Sequence, residues 1–592
     1  MNTPVLNILL RALFPVIASV APCAAAPVHL VDEAPVSIVR IDPDVILVDF
    51  GQVTFGNIHL VPPADSDHAV TVHFGEDLKD GRINRLPPGT VRYAMTEVHL
   101  KGAGPVLAAP PADERNTQSD RPETPPAVLT PPEWGVVLPF RWVEIEGWQG
   151  EMRPQYIVRK SAVAKSWNDD AAAFECSDVM LNQIWEMCRH SIKATTFAGI
   201  YVDGDRERIP YEADAYLNQL SHYATDNDVR MARDTMDWFK KHPTWPTEWA
   251  FHLIFMAHAD YRHTGSTEWL VSNYESLKPK LLLERAREDG LLVSNAKQIA
   301  RDDIVDWPKS ERDGFVFKPV NTVVNAFHIR SLQMMSEMAG ALGKQDEATE
   351  YQSMAAKARE SFQRVLFNPM KGAYRDGQGT DHMSQHASLF PLAFGLVPEE
   401  RTDAVVKAVG NRGMACSVYA AQYLMEGLFA NGAAARALEL VTAPTDRSWR
   451  HMLKSGATIT WEAWDMKYKP NQDWNHAWGA APANLFPRFI LGVEASSHGW
   501  KDARIRPNTS TLAYAKGKVP TPRGPIEVGW ENKSSFQMRL ELPAGVTAKL
   551  ELPASPESKA VLINGNPVAA KRIGSRWHVE EAVSGFGSIV VE

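Results

Sequence analysis

Residues 324–343 read VNAFHIRSLQMMSEMAGALG, and residues 355–366 read AAKARESFQRVL. In the first stretch Val324, Phe327, Met335, Met338 and Leu342 fall close to one face of a 3.6-residue period; in the second, Ala355, Ala358, Phe362 and Leu366 do the same. Gly343 stands between them as the residue at which a helix stops. From about 167 to 492, roughly a dozen such segments follow one another, with short turns, several long aromatic-rich loops and no clear β-run. So many helices in one compact unit point to a closed ring of helical hairpins, an (α/α)6 toroid, though the period alone does not prove closure.

On both sides of this region the period falls to two. Upstream, Val45 to Phe50 is a short apolar run ended by Gly51. Val70 to Phe74 is another, followed by Gly75 and the turn Asp80-Gly81, and Trp142 to Glu146 alternates apolar with charged residues. Residues 27–165 are therefore expected to form an N-terminal β-sandwich. Within it, 104–132 is rich in Pro, with paired prolines that cannot continue a ladder, and is expected to be an exposed loop. Downstream, Phe536, Met538, Leu540 and Leu542 alternate with polar residues, Asn564-Gly565 is a hairpin turn signal, and the chain closes on Ser588 to Val591. Residues 495–592 read as a C-terminal β-sandwich, which leaves 166–494 for the toroid.

The 592 residues have room for two to four domains. Arg11, the apolar run Ala12 to Val20 and the small residues Ala24 to Ala26 compose a secretory leader over 1–26, so a periplasmic or secreted protein is expected. That run is too short, and too interrupted by Pro15 and Pro22, for a membrane span. Cys23 leaves lipidation as an alternative. The 62 Lys and Arg against 71 Asp and Glu give a net charge of −9, so nucleic acid is not an expected partner. Cys176, Cys188 and Cys416 are too few for a disulfide scaffold and read as buried free thiols. With no CxxC pair, HExxH or P-loop, neither a metal nor a nucleotide cofactor is expected. The clustered acids Asp302, Asp303 and Asp306 lack calcium-loop spacing, and His252, His258 and His263 lack zinc spacing. Nothing in the pattern indicates an oligomeric state.

Two clusters carry chemistry. The first is Tyr201-Val-Asp-Gly-Asp-Arg-Glu-Arg-Ile-Pro-Tyr-Glu-Ala-Asp-Ala215. Pro210 suits the first turn of a helix, with Glu207 just before it and Asp214 about one turn in. Crowding of Glu207, Glu212 and Asp214 would raise the pKa of at least one carboxyl, as a general acid needs, while Arg206 and Arg208 would keep the others ionised. The same residues also suit a solvated helix start with ordinary salt pairs. The second cluster is Thr458-Ile-Thr-Trp-Glu-Ala-Trp-Asp465. There Trp461 and Trp464 flank Glu462, and aromatic walls can hold a sugar face and exclude water from a carboxylate. A surface Glu beside two core Trp fits equally well. His476 could bond a sugar hydroxyl or cap the helix that follows it.

Taken together and in order, these motifs resemble glycoside hydrolase family 78, the α-L-rhamnosidases, over most of the chain. Leu47 to Gln52, Phe74 to Gly81 and Phe140 to Gly147 resemble the family's N-terminal sandwich. Glu207-Arg208, Tyr211 and Asp214-Ala215 resemble its acidic signature, Asp306-Trp307 its Gly-Asp-Trp segment, Thr458 to Trp464 its Thr-Thr-x-Trp-Glu-x-Trp segment, and Asp473 to His476 its Ser-Phe-Asn-His segment. The resemblance implies an (α/α)6 toroid with β-domains and an inverting hydrolase that releases α-L-rhamnose from a rhamnose-containing glycan. It makes Glu207 the general acid and Glu462 the general base, with carboxyls about 6.5–9.5 Å apart to admit a water. Asp203, Arg206, Tyr211, Asp214, Trp249, Trp307, Trp461 and His476 are the substrate-binding candidates. The loop before Glu207 is about two residues shorter than the family form. Tyr211 stands for the usual Trp and Ala213 for the usual Gly, which bears on the sugar more than on the hydrolysis. A toroid hydrolase for fucose or an unsaturated uronic acid, a polysaccharide lyase and a non-catalytic sugar binder are the competing readings. Retention of both glutamates speaks against the last.

Overall fold

The computed structural model describes residues 27–113, 115 and 125–592. The expected leader, with Cys23, lies outside them, as does the middle of the Pro-rich stretch.

The N-terminal domain is an eight-stranded antiparallel sheet built around the 16-residue strand Val45–Leu60. Its first half lies between Ser37–Asp42 and Leu138–Glu146. Its last residues lie between Ile157–Ala164 and Val106–Ala108. The apolar run does not stop at Gly51 as expected. Gly51 takes φ +81° and the register shifts between Asp49 and Thr54, so the strand bends and continues. Ile46, Val48, Ile58 and Leu60 from its two halves meet Phe74 and Phe140 in one core, which folds the sheet over on itself. Asp80 and Gly81, both at positive φ, close a short hairpin that pairs Leu78–Lys79 with Arg82–Ile83. The Pro-rich stretch is only partly the exposed loop that its prolines suggested. Val106–Ala108 is a strand, Val128 N–H donates to Arg208 O at 2.9 Å, and Arg115 Nη1 lies 3.4 Å from Asp205. A proline pair excludes a ladder only locally, and the residues between the pairs remain free to pack.

Thirteen α-helices are found among the described residues. Glu212–Thr225, Thr247–Thr264, Thr322–Ala341, Gln385–Ala393, Val418–Ala430 and Ala481–Leu485 form an inner ring. Each touches the next, and the last touches the first. The outer ring is Val179–Thr195, Arg230–Phe239, Glu268–Leu277, Gln345–Leu366, Glu399–Asn411 and Ala434–Val441, each paired with an inner helix. Closure is thus made by packing. The inner helices bury nearly their whole circumference, as in Val418–Ala430, whereas Gln345–Leu366 buries one stripe and exposes the rest. Gly343 takes φ +74° just after its helix, the left-handed stop that the sequence predicts.

The C-terminal part packs a seven-stranded sheet beside a six-stranded one. The first of these includes Ala173–Cys176, which pairs with Tyr514–Val519 from more than 300 residues away. This strand, and the two-residue pair Phe367–Asn368 with Ala373–Tyr374, are strands in the region read as purely helical; both are too short to show a period. Cys176, Cys188 and Cys416 are free and buried. His252 bonds Tyr423, and His258 faces Glu337 at 2.9 Å, so these histidines serve helix packing.

Candidate active site

Four of the loops that lead into inner helices converge at one mouth of the ring. They carry Asp203 to Tyr211, Trp245, Trp307, and Glu462 to Trp478. The first turns of two inner helices add Asp214 and Trp249. These residues wall a pit of about 210 Å³. Helix N-termini carry partial positive charge, which suits a pit crowded with carboxylates.

The loop 203–209 is held by its neighbours. Gly204 has no room for a side chain, because a Cβ there would lie 2.6 Å from Asp473 Oδ2 and 2.9 Å from Asn475 Oδ1. Asn475 Oδ1 accepts from Asp205 N–H at 2.8 Å, and Asn475 Nδ2 donates to Glu76 of the N-terminal domain at 3.0 Å. Arg208 sits at φ +54°, outside the usual range for a bulky residue, and this directs its guanidinium away from the pit. It donates to Asp205 Oδ1 at 2.6 Å and Val137 O at 2.5 Å, so it anchors the loop and pairs with none of the pit's carboxylates, contrary to the sequence expectation. Pro210 lies two residues before the helix, whose first residue is Glu212. Glu212 turns out of the pit to accept from Thr244 N–H at 3.0 Å and from Thr244 Oγ1. The expected carboxylate crowding therefore involves other partners. It acts on Asp203, whose carboxyl is pushed well above the usual range by burial and then by the charge of Glu207.

Arg206 is the hub of the pit. Its Nη1 and Nη2 donate to the two oxygens of Glu462 at 2.5 and 3.0 Å, its Nε lies 3.6 Å from Glu207, and Asp203 is 4.0 Å away. The two glutamates sit in different surroundings. The Glu207 side chain is 38% exposed and accepts from Tyr211 Oη at 2.8 Å, whereas Glu462 is 2% exposed. Deeper in, His476 Nε2 and Nδ1 donate to Asp214 at 2.7 Å and Asp473 at 3.2 Å. Burial alone would lower its pKa; Asp473 and Asp214 outweigh that and hold the imidazole protonated well above its usual range. No side-chain bond from His476 caps a helix. Tyr211 stands edge-to-face on Trp249 at 5.5 Å, and Trp478 Nε1 donates to Glu462 O at 3.0 Å.

The structure thus brings Asp203, Arg206, Glu207, Tyr211, Asp214, Trp249, Trp307, Glu462 and His476 together. Trp461 is the exception: alternation of side chains along the chain sends it away from its neighbour Glu462. It stacks on Trp474 at 4.9 Å and lines a separate cleft against the N-terminal domain. Three contributors were missed. Trp245 and Trp478 line the pit, and Lys469 Nζ lies 3.0 Å from Glu462 Oε1. Trp478 lies two residues beyond His476, a spacing that could have flagged it, whereas Lys469 has no signal at all. Asp302, Asp303 and Asp306 do not converge. Asp306 accepts from His386 Nε2 at 2.6 Å and from Ser417, which fixes the backbone of Trp307. Glu248, its carboxyl pushed up to about 7 by burial and Asp303, accepts from Ile304 and Val305 N–H and steadies the same loop. Among the described residues, Glu462, Asp473 and His476 are the one group close enough to hold a metal ion. Their ligand atoms face Arg206, Lys469 and a protonated imidazole, which is unfavourable for a cation.

Three family models match the chain: the bacterial alpha-L-rhamnosidase six-hairpin glycosidase domain over residues 169–490, the C-terminal domain over 492–565 and the concanavalin-like domain over 39–108. An alpha-L-rhamnosidase of Alteromonas sp. (strain LOR) is 24% identical, the match covering 89% of this chain and 58% of that protein. One of Formosa agariphila is 24% identical over 72% of this chain and 48% of its own length. The chain thus spans about half the length of the curated relatives it matches. Among solved structures, the alpha-L-rhamnosidase of Dictyoglumus thermophilum superposes with a TM-score of 0.78 at 20% identity, covering 96% of this chain and 64% of that one. The Streptomyces avermitilis alpha-L-rhamnosidase complexed with L-rhamnose gives 0.76 at 19% identity, covering 96% and 54%. At these identities the superpositions speak for the fold.

Proposed function

The chain belongs to the bacterial α-L-rhamnosidase family, and from that premise we propose that it hydrolyses the glycosidic bond of terminal α-L-rhamnose with inversion. Glu207 is the general acid and Glu462 the general base. The observation that carries this reading is the pair of carboxyls on one sugar-sized pit, one at its open side and one buried, both within reach of Arg206.

Glu207, partly exposed, meets the leaving oxygen as it comes from solvent and protonates it. Glu462, walled from bulk water, takes the proton of a water that attacks the opposite face of the ring. The sugar's hydroxyls face Asp203, Asp214 and the protonated His476, a set that offers both acceptors and a donor. The rings of Tyr211, Trp249, Trp307 and Trp478 cover its C–H faces. Arg206, which bonds Glu462 and lies beside Glu207, turns to the incoming sugar and frees Glu462 for water. The composition of residues 1–26 supports export of the protein, so the substrate is an extracellular or periplasmic glycoside.

The test is release of an aryl alcohol from an aryl α-L-rhamnoside by wild type, Glu207→Gln and Glu462→Gln. Turnover by wild type, lost by about a thousandfold or more in both variants, is expected from removal of an acid or base with its charge. Turnover of an aryl fucoside in place of the rhamnoside would move the proposal to another sugar. A rise in ultraviolet absorbance from a new double bond would move it to a lyase.

A further inference from the structure

Lys469 is neither part of the pit wall nor exposed: its side chain is 6% accessible and its ammonium meets Glu462. Its Nζ lies 3.0 Å from Glu462 Oε1 and donates to Asn471 Oδ1 at 3.0 Å. Arg206 makes more bonds to Glu462, but those bonds are made inside the pit. They compete there with Glu207, Asp203 and any hydroxyl that enters. A sugar that draws Arg206 off leaves Glu462 with one cationic partner, which is buried and does not line the pit.

The loop that carries Lys469 is itself held from the N-terminal domain. Thr90 N–H donates to Gln472 O at 3.1 Å and Thr90 Oγ1 to Asn471 O at 3.2 Å. Gly89, at φ +61°, lies so close that a Cβ would stand 2.7 Å from Gln472 O and 3.0 Å from Pro470 O. Ser310 Oγ donates to Tyr468 O at 2.6 Å on the loop's other side. Arg115 in turn donates to Thr90 O at 3.0 Å. The contact is therefore a chain of close packing from the β-domain, through the loop 466–473, to the side chain of Glu462.

We propose that Lys469 is a positioning residue for Glu462, holding the base in line while Arg206 serves the sugar, and that Gly89 and Thr90 of the N-terminal β-domain set its place. This rests on the reading of Glu462 as the base. Loss of the lysine then affects the chemical step and spares binding, whereas loss of Arg206 affects binding first.

The experiment is steady-state hydrolysis of an aryl α-L-rhamnoside by the full chain with Lys469→Met, Lys469→Arg and Thr90→Val, beside wild type and Glu462→Gln. Loss of one charge-assisted hydrogen bond is expected to lower kcat about ten- to hundredfold in Lys469→Met with KM within twofold. Lys469→Arg should recover most of that loss. Thr90→Val, which leaves the lysine in place, should lower kcat a few-fold at unchanged KM. If Lys469→Met does not fold, Thr90→Val decides: wild-type kcat in that variant would overturn the proposal. A Lys469→Met variant with unchanged kcat, or with raised KM and unchanged kcat, would also overturn it. An active Glu462→Gln would instead remove the assignment of the base, a separate result.

Discussion

Glu76 couples the stability of the fold to pH. It lies in the Phe74 to Gly81 motif of the N-terminal domain, buried, and accepts from Arg92 N–H at 2.7 Å and from Asn475 Nδ2 at 3.0 Å. Burial pushes its carboxyl up to about 8, against the lowering effect of those two bonds. The folded state therefore keeps a proton that the unfolded chain releases near pH 4.5. The contribution of Glu76 to stability is lost as pH rises from about 4.5, and the loss is complete above about 8. Against the ordinary carboxylate value of 4.5, a value of about 8 makes the full penalty on the order of 5 kcal/mol, and about 3 kcal/mol at pH 7. Glu76→Gln escapes it but exchanges one acceptor for an amide N–H, which costs about 1 kcal/mol. The variant should be about 1 kcal/mol less stable than wild type at pH 4, equal to it near pH 5, and more stable by about 2 kcal/mol at pH 7. Chemical denaturation of both proteins in steps across pH 4–9 reads the difference. A difference that stays constant with pH would refute the reasoning, because it would mean that Glu76 titrates in the folded protein as it does in the unfolded chain.

Other expectations follow from the pit. Asp203→Asn removes a buried carboxyl whose pKa is raised by burial and by Glu207. Its melting temperature should exceed wild type by a margin that grows from pH 4 to pH 8 while turnover of the rhamnoside falls, and a margin that shrinks with pH would contradict the assignment. Trp461→Phe should lower stability by roughly 1–2 kcal/mol with KM within twofold, since Trp461 packs on Trp474 outside the pit; a large rise in KM would return it to the sugar site. Trp245, 42% exposed on the pit wall, is placed to cover the leaving group, so Trp245→Ala should raise KM about tenfold for a large aglycone and less for a small one. Arg206→Met should raise KM more than it lowers kcat, and equal effects on both would show that the guanidinium belongs to the chemical step.

The helical hairpins were legible because their apolar faces repeat over many turns, as in Val324 to Leu342. Closure of the ring was not, since it depends on Ala481–Leu485 meeting Glu212–Thr225 across more than 250 residues. Only the first part of the long strand was read, because Gly51 resembles a stop and is in fact a bend. In the site, carboxylates and aromatics packed closely along the chain gave themselves away. Direction was hidden: Glu212 and Arg208 turn away from the pit, and Trp461 faces the domain seam, because backbone angles and one-residue alternation decide where each side chain points. Lys469 was invisible for another reason. A lysine in a polar loop has no pattern, and its burial comes wholly from packing between distant segments.

The account turns on Glu207 and Glu462 acting from opposite faces of the sugar, and the anomer released tests this most directly. Proton NMR of an aryl α-L-rhamnoside followed from the first seconds of hydrolysis, before mutarotation, reads the H-1 signal of the free sugar. The account predicts β-L-rhamnose first, with the α-anomer growing in later. Appearance of the α-anomer first would mean retention, and Glu462 could then not be the base that activates water.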